Sequence, residues 1–168
     1  DILVQEYGNN FGMKTVCFRG GCLTGSLHRG AELHGFLSYL VKTILSKKVY
    51  KVFGFKGKQV RDNLSAYDVT KIIYEILKKP PKCGEVYNIG GSRRSNCSTR
   101  EAIDSCERIT GKKVNYSCAE DNRIGVHIWW ISDVSKLQGH YPDWRYEHDI
   151  DDIFEQIYDG LTKRPVHK

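Results

Sequence analysis

The stretch KTVCFRGGCLTG, residues 14–25, decides the fold of this chain. Its first part, Lys14 to Phe18, is rich in β-branched and apolar residues and predicts a short buried strand. The strand then opens into a glycine-rich loop, which we expect to run from Arg19 to Ala31. A buried strand that ends in such a loop is typical of a sheet covered by helices.

Helices and strands alternate outward from this stretch. Strands are expected at 49–55, at 86–89, at 113–118 and, as a strand or a bend, at 60–64; helices are expected at 1–11, 33–45, 68–79, 99–110, 133–139 and 150–161. This alternation predicts an α/β protein. No Gly-x-Gly-x-x-Gly motif stands between a strand and a helix, so a complete dinucleotide-binding domain is not expected.

The amino-acid composition limits the classes of protein to which this chain can belong. The chain has 168 residues, enough for one domain or one and a half small ones, and 40% of them are hydrophobic. No apolar run reaches the roughly 18 residues that a membrane span needs. The net charge of +6, from 26 basic and 20 acidic residues, favours anionic partners. The basic residues are dispersed, so a non-catalytic nucleic-acid-binding module is kept only as a remote alternative.

Six cysteines are present, at positions 17, 22, 83, 97, 106 and 118. No two of them form a Cys-x-x-Cys pair, which argues against a zinc ribbon. We predict no metal site, and we expect reduced thiols in a cytoplasmic protein.

The residues that follow the first strand are the first candidate site. Gly20 and Gly21 carry no side chain, so a flat ligand could approach their backbone closely. In α/β sheets, ligands bind beyond the carboxyl ends of the strands. The alternative is a plain turn.

Arg61 lies in a second candidate site, GKQVRDN at residues 57–63. Its guanidinium group can bind two phosphate oxygens at once. Asp62 could hold that guanidinium or cap a turn, and a surface Arg–Asp pair is the alternative.

A third candidate site, EDNRIGVHIWWISD, covers residues 120–133. Arg123 beside His127 and two tryptophans could clamp a pyrophosphate and stack a base. The alternative is that the tryptophans pack in a core or an interface.

Several ordered motifs together resemble the extended short-chain dehydrogenase/reductase family, the NAD-dependent epimerases and dehydratases. The motifs are RGGCLTG (19–25), ELHGF (32–36), GKQVRDN (57–63), VYNIGG (86–91), SNCS (95–98), EDNRIG (120–125) and HIWWISD (127–133). The similarity runs from Asp1 to about Ile157. The chain most resembles members that invert C2 of CDP-sugars. These members interconvert CDP-paratose and CDP-tyvelose by transient oxidation. Nucleotide-sugar 4-epimerases and 4,6-dehydratases that act on UDP- or dTDP-sugars are the alternative.

The resemblance implies a role for particular residues. The nicotinamide of NAD would lie near Gly20, Gly21 and Cys22, and no catalytic residue is assigned in this chain. The nucleotide sugar, preferably a CDP-sugar, would contact Glu32, His34, Phe36, Phe53, Gln59, Arg61, Arg123 and His127. Close members carry an acidic residue where this chain has Val126, so part of the substrate contact is expected to differ.

The resemblance also implies that residues 1–168 correspond to the second half of a family member and that the first half is missing. Family members are about twice as long, and their first half holds the glycine-rich NAD turn and a Tyr-x-x-x-Lys pair. The chain would be the C-terminal part of a Rossmann-type NAD(P)-binding fold plus the small α/β substrate-binding domain. We therefore expect a truncated larger protein, which in full-length form binds NAD tightly and is a homo-oligomer. This chain alone is expected to be inactive, to hold NAD weakly and to expose an apolar face.

Overall fold

A computed structural model describes residues 1–119 and 127–163. The helices are α1 (Ile2–Phe11), α2 (Phe36–Leu45), α3 (Ala66–Lys78), α4 (Thr99–Thr110), α5 (Ser135–His140) and α6 (Ile150–Thr162), with a 3₁₀ turn at Phe55–Gly57. The strands are β1 (Val16–Gly20), β2 (Cys22–Thr24), β3 (Tyr50–Val52), β4 (Val60–Ser65), β5 (Glu85–Ile89), β6 (Asn96–Ser98), β7 (Tyr116–Cys118) and β8 (Trp129–Trp130). The predicted α/β architecture is present.

The strands form three small sheets. β1 pairs with β5, and β3 pairs with β7, both in parallel. In the third sheet β4 is central, with β2 and β8 parallel to it and β6 antiparallel. Because β4 contacts three other strands, its residues lie where several parts of the chain converge.

Two clusters of buried side chains form the interior. The larger cluster lies between α2, α4, α6 and β3, and Leu40, Phe154 and Ile157 in it are fully buried. The smaller cluster joins α3, β5 and the segment after α5, and it includes Tyr87 and Trp144. The two clusters flank the third sheet, since β6 contributes Cys97 to the larger one and β4 contributes Leu64 to the smaller one.

Local sequence signals explain where most helices begin and end. Gly12 ends α1 in the left-handed conformation, with φ of 65°. Ser98 and Glu101 form the predicted capping box at the start of α4. Ser65 caps α3 by accepting a hydrogen bond from the backbone nitrogen of Tyr67.

Several expectations about the helices and strands were wrong. The loop predicted at 19–31 contains β2, because Cys22 to Thr24 pair with Asn63 to Ser65. Helix α2 begins at Phe36 rather than Leu33, because Ala31 and His34 first close a turn by mutual backbone hydrogen bonds. Strands β6 and β8 were not predicted, since each is only two or three residues long and is defined by its pairing with β4.

Within the residues described, no helix combines the length and the apolar character that a membrane crossing requires. The six cysteines are all free, and Cys97 and Cys106 are buried in the larger cluster.

Candidate functional site

A cavity of about 350 Å³ opens beside the third sheet. The part of its lining that comes from β2 and β4 is here called its floor. The rest of the lining comes from the segment between β2 and α2, from β3 and the residues that follow it, and from the start of α4. A cavity of this size suits part of a nucleotide or of a similar ligand.

The cavity brings together eight of the eleven residues that the sequence suggested. These residues are Gly21, Cys22, Glu32, His34, Phe36, Phe53, Gln59 and Arg61. Gly20 lies outside the lining, at the end of β1. His127 also lies outside it, although its carbonyl oxygen contacts Arg61. Arg123 and Val126, for which contacts with the nucleotide sugar were also considered, lie outside the described residues.

Arg61 lines the cavity from β4. Its Nη1 donates to the carbonyl of Val60 at 2.7 Å, and its Nη2 donates to the carbonyl of His127 at 2.5 Å. Partial burial lowers the pKa of this guanidinium group, but an arginine so far above neutrality stays charged. The site therefore contains a fixed positive charge that also ties down the segment before β8.

Asp62 does not bind the Arg61 guanidinium in the way that an Arg–Asp surface pair would. It is fully buried, and its Oδ2 accepts hydrogen bonds from the backbone nitrogens of Ser92 and Ser132, both at 3.0 Å. Of the two predicted roles for Asp62, the structure shows the second, because Ser92 lies in a turn. This single carboxylate fixes both the turn after β5 and the extended segment before α5 to the central strand.

The same carboxylate explains two of the glycines. A Cβ on Gly21 would lie 2.6 Å from Asp62 Oδ1, and a Cβ on Gly90 would lie 2.2 Å from Asp62 Oδ2. Both distances are too short for any side chain. Gly21, one of the two glycines that suggested close approach of a ligand, and Gly90 are thus required by the approach of their backbone to a buried carboxylate.

Cys22 lies on the floor of the cavity next to this group. Burial raises the pKa of the Cys22 thiol, and the nearby Asp62 charge raises it further. The thiol is therefore protonated at neutral pH and is a poor nucleophile.

Gln59 and Phe53 join the end of β3 to the start of β4. The Gln59 side-chain nitrogen donates to the Phe53 carbonyl at 2.7 Å. Lys51 lies over the Phe53 ring, 5.2 Å from its centroid. The first contact fixes the Phe53 backbone and the second covers one face of its ring, so both help to position Phe53 in the lining of the cavity.

The two tryptophans of β8 are exposed, so they do not pack in the core of the described chain. Trp129 is 63% exposed and Trp130 is 45% exposed. Trp130 pairs with Arg61 across the strands and lies 5.3 Å from the His127 ring, measured between centroids. Residues paired across two strands lie on the same face of the sheet, so Trp130 shares a face with Arg61.

Sequence reasoning missed several lining residues. His28, Tyr50, Asn63 and Thr99 all contribute to the cavity. Asn63 could have been identified, because it is two residues after Arg61 and therefore on the same face of a strand. His28 carried no signal, since it lay in a segment predicted to be only a loop.

Comparison with known proteins identifies the family of the chain. Residues 1–90 match the NAD dependent epimerase/dehydratase family. The chain belongs to this family.

The chain is similar to two curated relatives over nearly its whole length. It is 27% identical to the CDP-paratose 2-epimerase of Salmonella typhi, over 96% of this chain and 49% of that protein. It is 33% identical to an uncharacterized UDP-glucose epimerase of Bacillus subtilis (strain 168), over 95% of this chain and 46% of that protein. The chain thus spans about half the length of these relatives.

A solved structure shows the same fold. The UDP-glucuronic acid 4-epimerase from Bacillus cereus, in complex with UDP-glucuronic acid and NAD, superposes with a TM-score of 0.82 at 26% identity. The match covers 96% of this chain and 49% of that one. The resemblance inferred from the sequence motifs, and the Rossmann-type α/β fold that it implied, are therefore confirmed.

Proposed function

We propose that this chain is the substrate-binding portion of an NAD-dependent epimerase that acts on CDP-sugars. The whole enzyme would interconvert CDP-paratose and CDP-tyvelose by transient oxidation at C2. One observation carries the proposal: eight residues predicted from sequence motifs line one cavity, although the chain separates them by up to 40 positions (Gly21 to Arg61).

Arg61 supports a diphosphate ligand. A guanidinium group beside a partly buried cavity offsets the charge of a phosphate better than it would in open water. Phe53 offers an aromatic wall, and Gln59 fixes its backbone. This chain's own residues would therefore bind and orient the nucleotide, and Arg123 is proposed as a second contact to the diphosphate.

NAD, when bound, would accept a hydride from the sugar and return it. Gly21 and Cys22 fit a position beside its nicotinamide, because they give the cavity a wall of backbone and one protonated thiol. Gly20 fits less well, since it lies outside the lining. The chain has no glycine-rich turn for the NAD pyrophosphate, so we propose that the other half of a longer protein supplies that turn.

A UDP- or dTDP-sugar 4-epimerase or dehydratase is the second candidate. The similarity to a UDP-glucose epimerase at 33% identity and to a UDP-glucuronic acid 4-epimerase favours it. Both candidates use the same cavity and differ in the base and in the carbon that reacts.

Calorimetry with CDP-glucose, UDP-glucose and dTDP-glucose separates the candidates on the 168-residue chain. The proposal predicts that CDP-glucose binds at least tenfold more tightly than the other two. Equal binding of all three, or no binding of CDP-glucose, would remove the claim of CDP preference. For the full-length protein, NMR of the product would show inversion at C2 under the first candidate and a change at C4 under the second.

A further inference from the structure

Two histidines face each other in the wall of the cavity. The rings of His28 and His34 lie 5.7 Å apart between centroids, in an edge-to-face arrangement. Both residues line the cavity together with Arg61. Neither motif analysis nor the proposed chemistry gave His28 a role.

The position of the His28 ring is fixed on two sides. Its Nδ1 is 3.0 Å from the Thr24 hydroxyl at the end of β2. Its other edge packs on Gly35, where a Cβ would lie only 2.5 Å from the ring carbon Cε1. The carbonyl of His28 also accepts a hydrogen bond from the Ser38 hydroxyl. The ring is therefore held between the end of β2 and the start of α2.

The surroundings of His28 disfavour a positive charge on its imidazole. Gly35 is the N-cap of α2, and the positive end of that helix has neither a capping side-chain hydrogen bond nor an acidic residue in its first turn. Burial lowers the pKa of the His28 imidazole, and the neighbouring His34 lowers it further. The other ionisable groups that line the cavity are Cys22, Tyr50 and Arg61 on the strands, with Glu32 on the same turn as His34.

An anionic ligand would instead favour a positive charge on the imidazole. A diphosphate in the cavity would place negative charge beside the helix end, Arg61 and both imidazoles, and so favour the charged form of a histidine. We propose that His28 and His34 form a proton-accepting wall for the diphosphate of the nucleotide sugar, so that ligand binding takes up a proton. This inference rests on the proposed function, and it adds a pH dependence to the same site.

The sign of the pH dependence follows from linkage. If the bound state holds more protons than the free state, affinity rises as pH falls through the range in which the histidines titrate. For one histidine whose pKa rises by between one and two units on binding, affinity is about tenfold higher near pH 6 than near pH 8.

Calorimetry of the 168-residue chain with CDP-glucose tests the inference. CDP-glucose is the right probe because its diphosphate is a diester and has no group that titrates near neutral pH. Titrations at pH 7 in buffers of different ionisation enthalpy should show uptake of a fraction of a proton per ligand bound. Cytidine, which has no phosphate, should show none.

Substitutions at His28 and His34 test whether these two histidines accept the proton that is taken up on binding. His34→Gln, at an exposed position, should lower the uptake, and His28→Gln with His34→Gln should abolish both the uptake and the tenfold pH effect. His140→Gln, in which the altered ring lies beside Tyr87 outside the cavity, should behave as the unaltered chain. Binding with no buffer dependence, or uptake that persists in the double variant, overturns the inference while the proposed function stands. Absence of any CDP-glucose binding overturns both.

Discussion

Arg61 is the residue on which the ligand proposal depends most. Its fork of donors holds the Val60 and His127 carbonyls and places a charge at the cavity. Lysine would keep the charge but lose the fork.

We therefore predict that Arg61→Lys weakens CDP-glucose binding by about 10- to 100-fold, the loss expected for one or two charge-assisted hydrogen bonds. Arg108→Lys is the matched control, because Arg108 pairs with Asp151 at the surface of α4. Calorimetry measures both. Unchanged affinity in Arg61→Lys would show that the guanidinium group does not contact the ligand.

Asp62 makes a second residue-scale prediction possible. Gly21→Ala places a Cβ against the buried carboxylate, and we expect it to lower the free energy of unfolding by about 1–3 kcal/mol.

Gly139→Ala is the control for this substitution, because its Cβ would meet nothing within 4 Å and the residue lies inside α5. Alanine there should stabilise the chain by about 0.5–1 kcal/mol. Urea unfolding of both variants gives the comparison. Equal stability of Gly21→Ala and the parent chain would contradict the close approach at Asp62.

Gly21 also shows what could not be predicted from the sequence. The sequence motifs indicated that Gly20, Gly21 and Arg61 were candidate binding residues, but they did not show which contacts require these residue types. The reason for Gly21 is a carboxylate 41 positions away in the chain, and no local pattern reveals such a contact.

Helix caps were the most predictable features at the scale of elements. The capping box of α4 was predicted from Ser98 and Glu101 alone and is present. The backbone nitrogen of Ser98 donates to Glu101 Oε2 at 2.7 Å, and this hydrogen bond lowers the pKa of the Glu101 carboxyl.

A carboxyl whose pKa is lower in the folded state adds stability above its unfolded pKa, and that stability is lost as pH falls through the folded value. We predict that Glu101→Gln is less stable than the parent chain at neutral pH and that the difference shrinks below about pH 4. Thermal unfolding across pH measures it. A difference that does not change with pH would show that the charge of Glu101 contributes nothing.

Short strands were the least predictable elements. β2, β6 and β8 have two or three residues each, and all three pair with β4. Segments this short have no period to detect, so their conformation is decided by the partner strand rather than by their own residues.

Helix α1 exposes apolar side chains at the surface of the molecule. Ile2, Leu3 and Phe11 are each at least 70% exposed, whereas a helix that packs only on one side usually places polar residues outward. We propose that the NAD-binding half of a longer protein covers this face.

Replacement of Ile2, Leu3 and Phe11 by glutamine tests that proposal. Because these side chains are exposed, the free energy of unfolding should change by less than about 1 kcal/mol, while binding of an apolar dye and self-association of the chain should fall. Leu40→Ala, in the larger cluster, should instead cost about 2–5 kcal/mol. A large loss of stability in the triple variant would show that the face is already packed within this chain.

If the cavity beside β4 binds a nucleotide sugar, amide NMR of the labelled 168-residue chain during titration with CDP-glucose will locate the binding site residue by residue. We expect saturable shifts concentrated at Gly21, His34, Phe36, Phe53 and Arg61. Shifts that avoid these residues, or an unchanged spectrum at millimolar CDP-glucose, would contradict it.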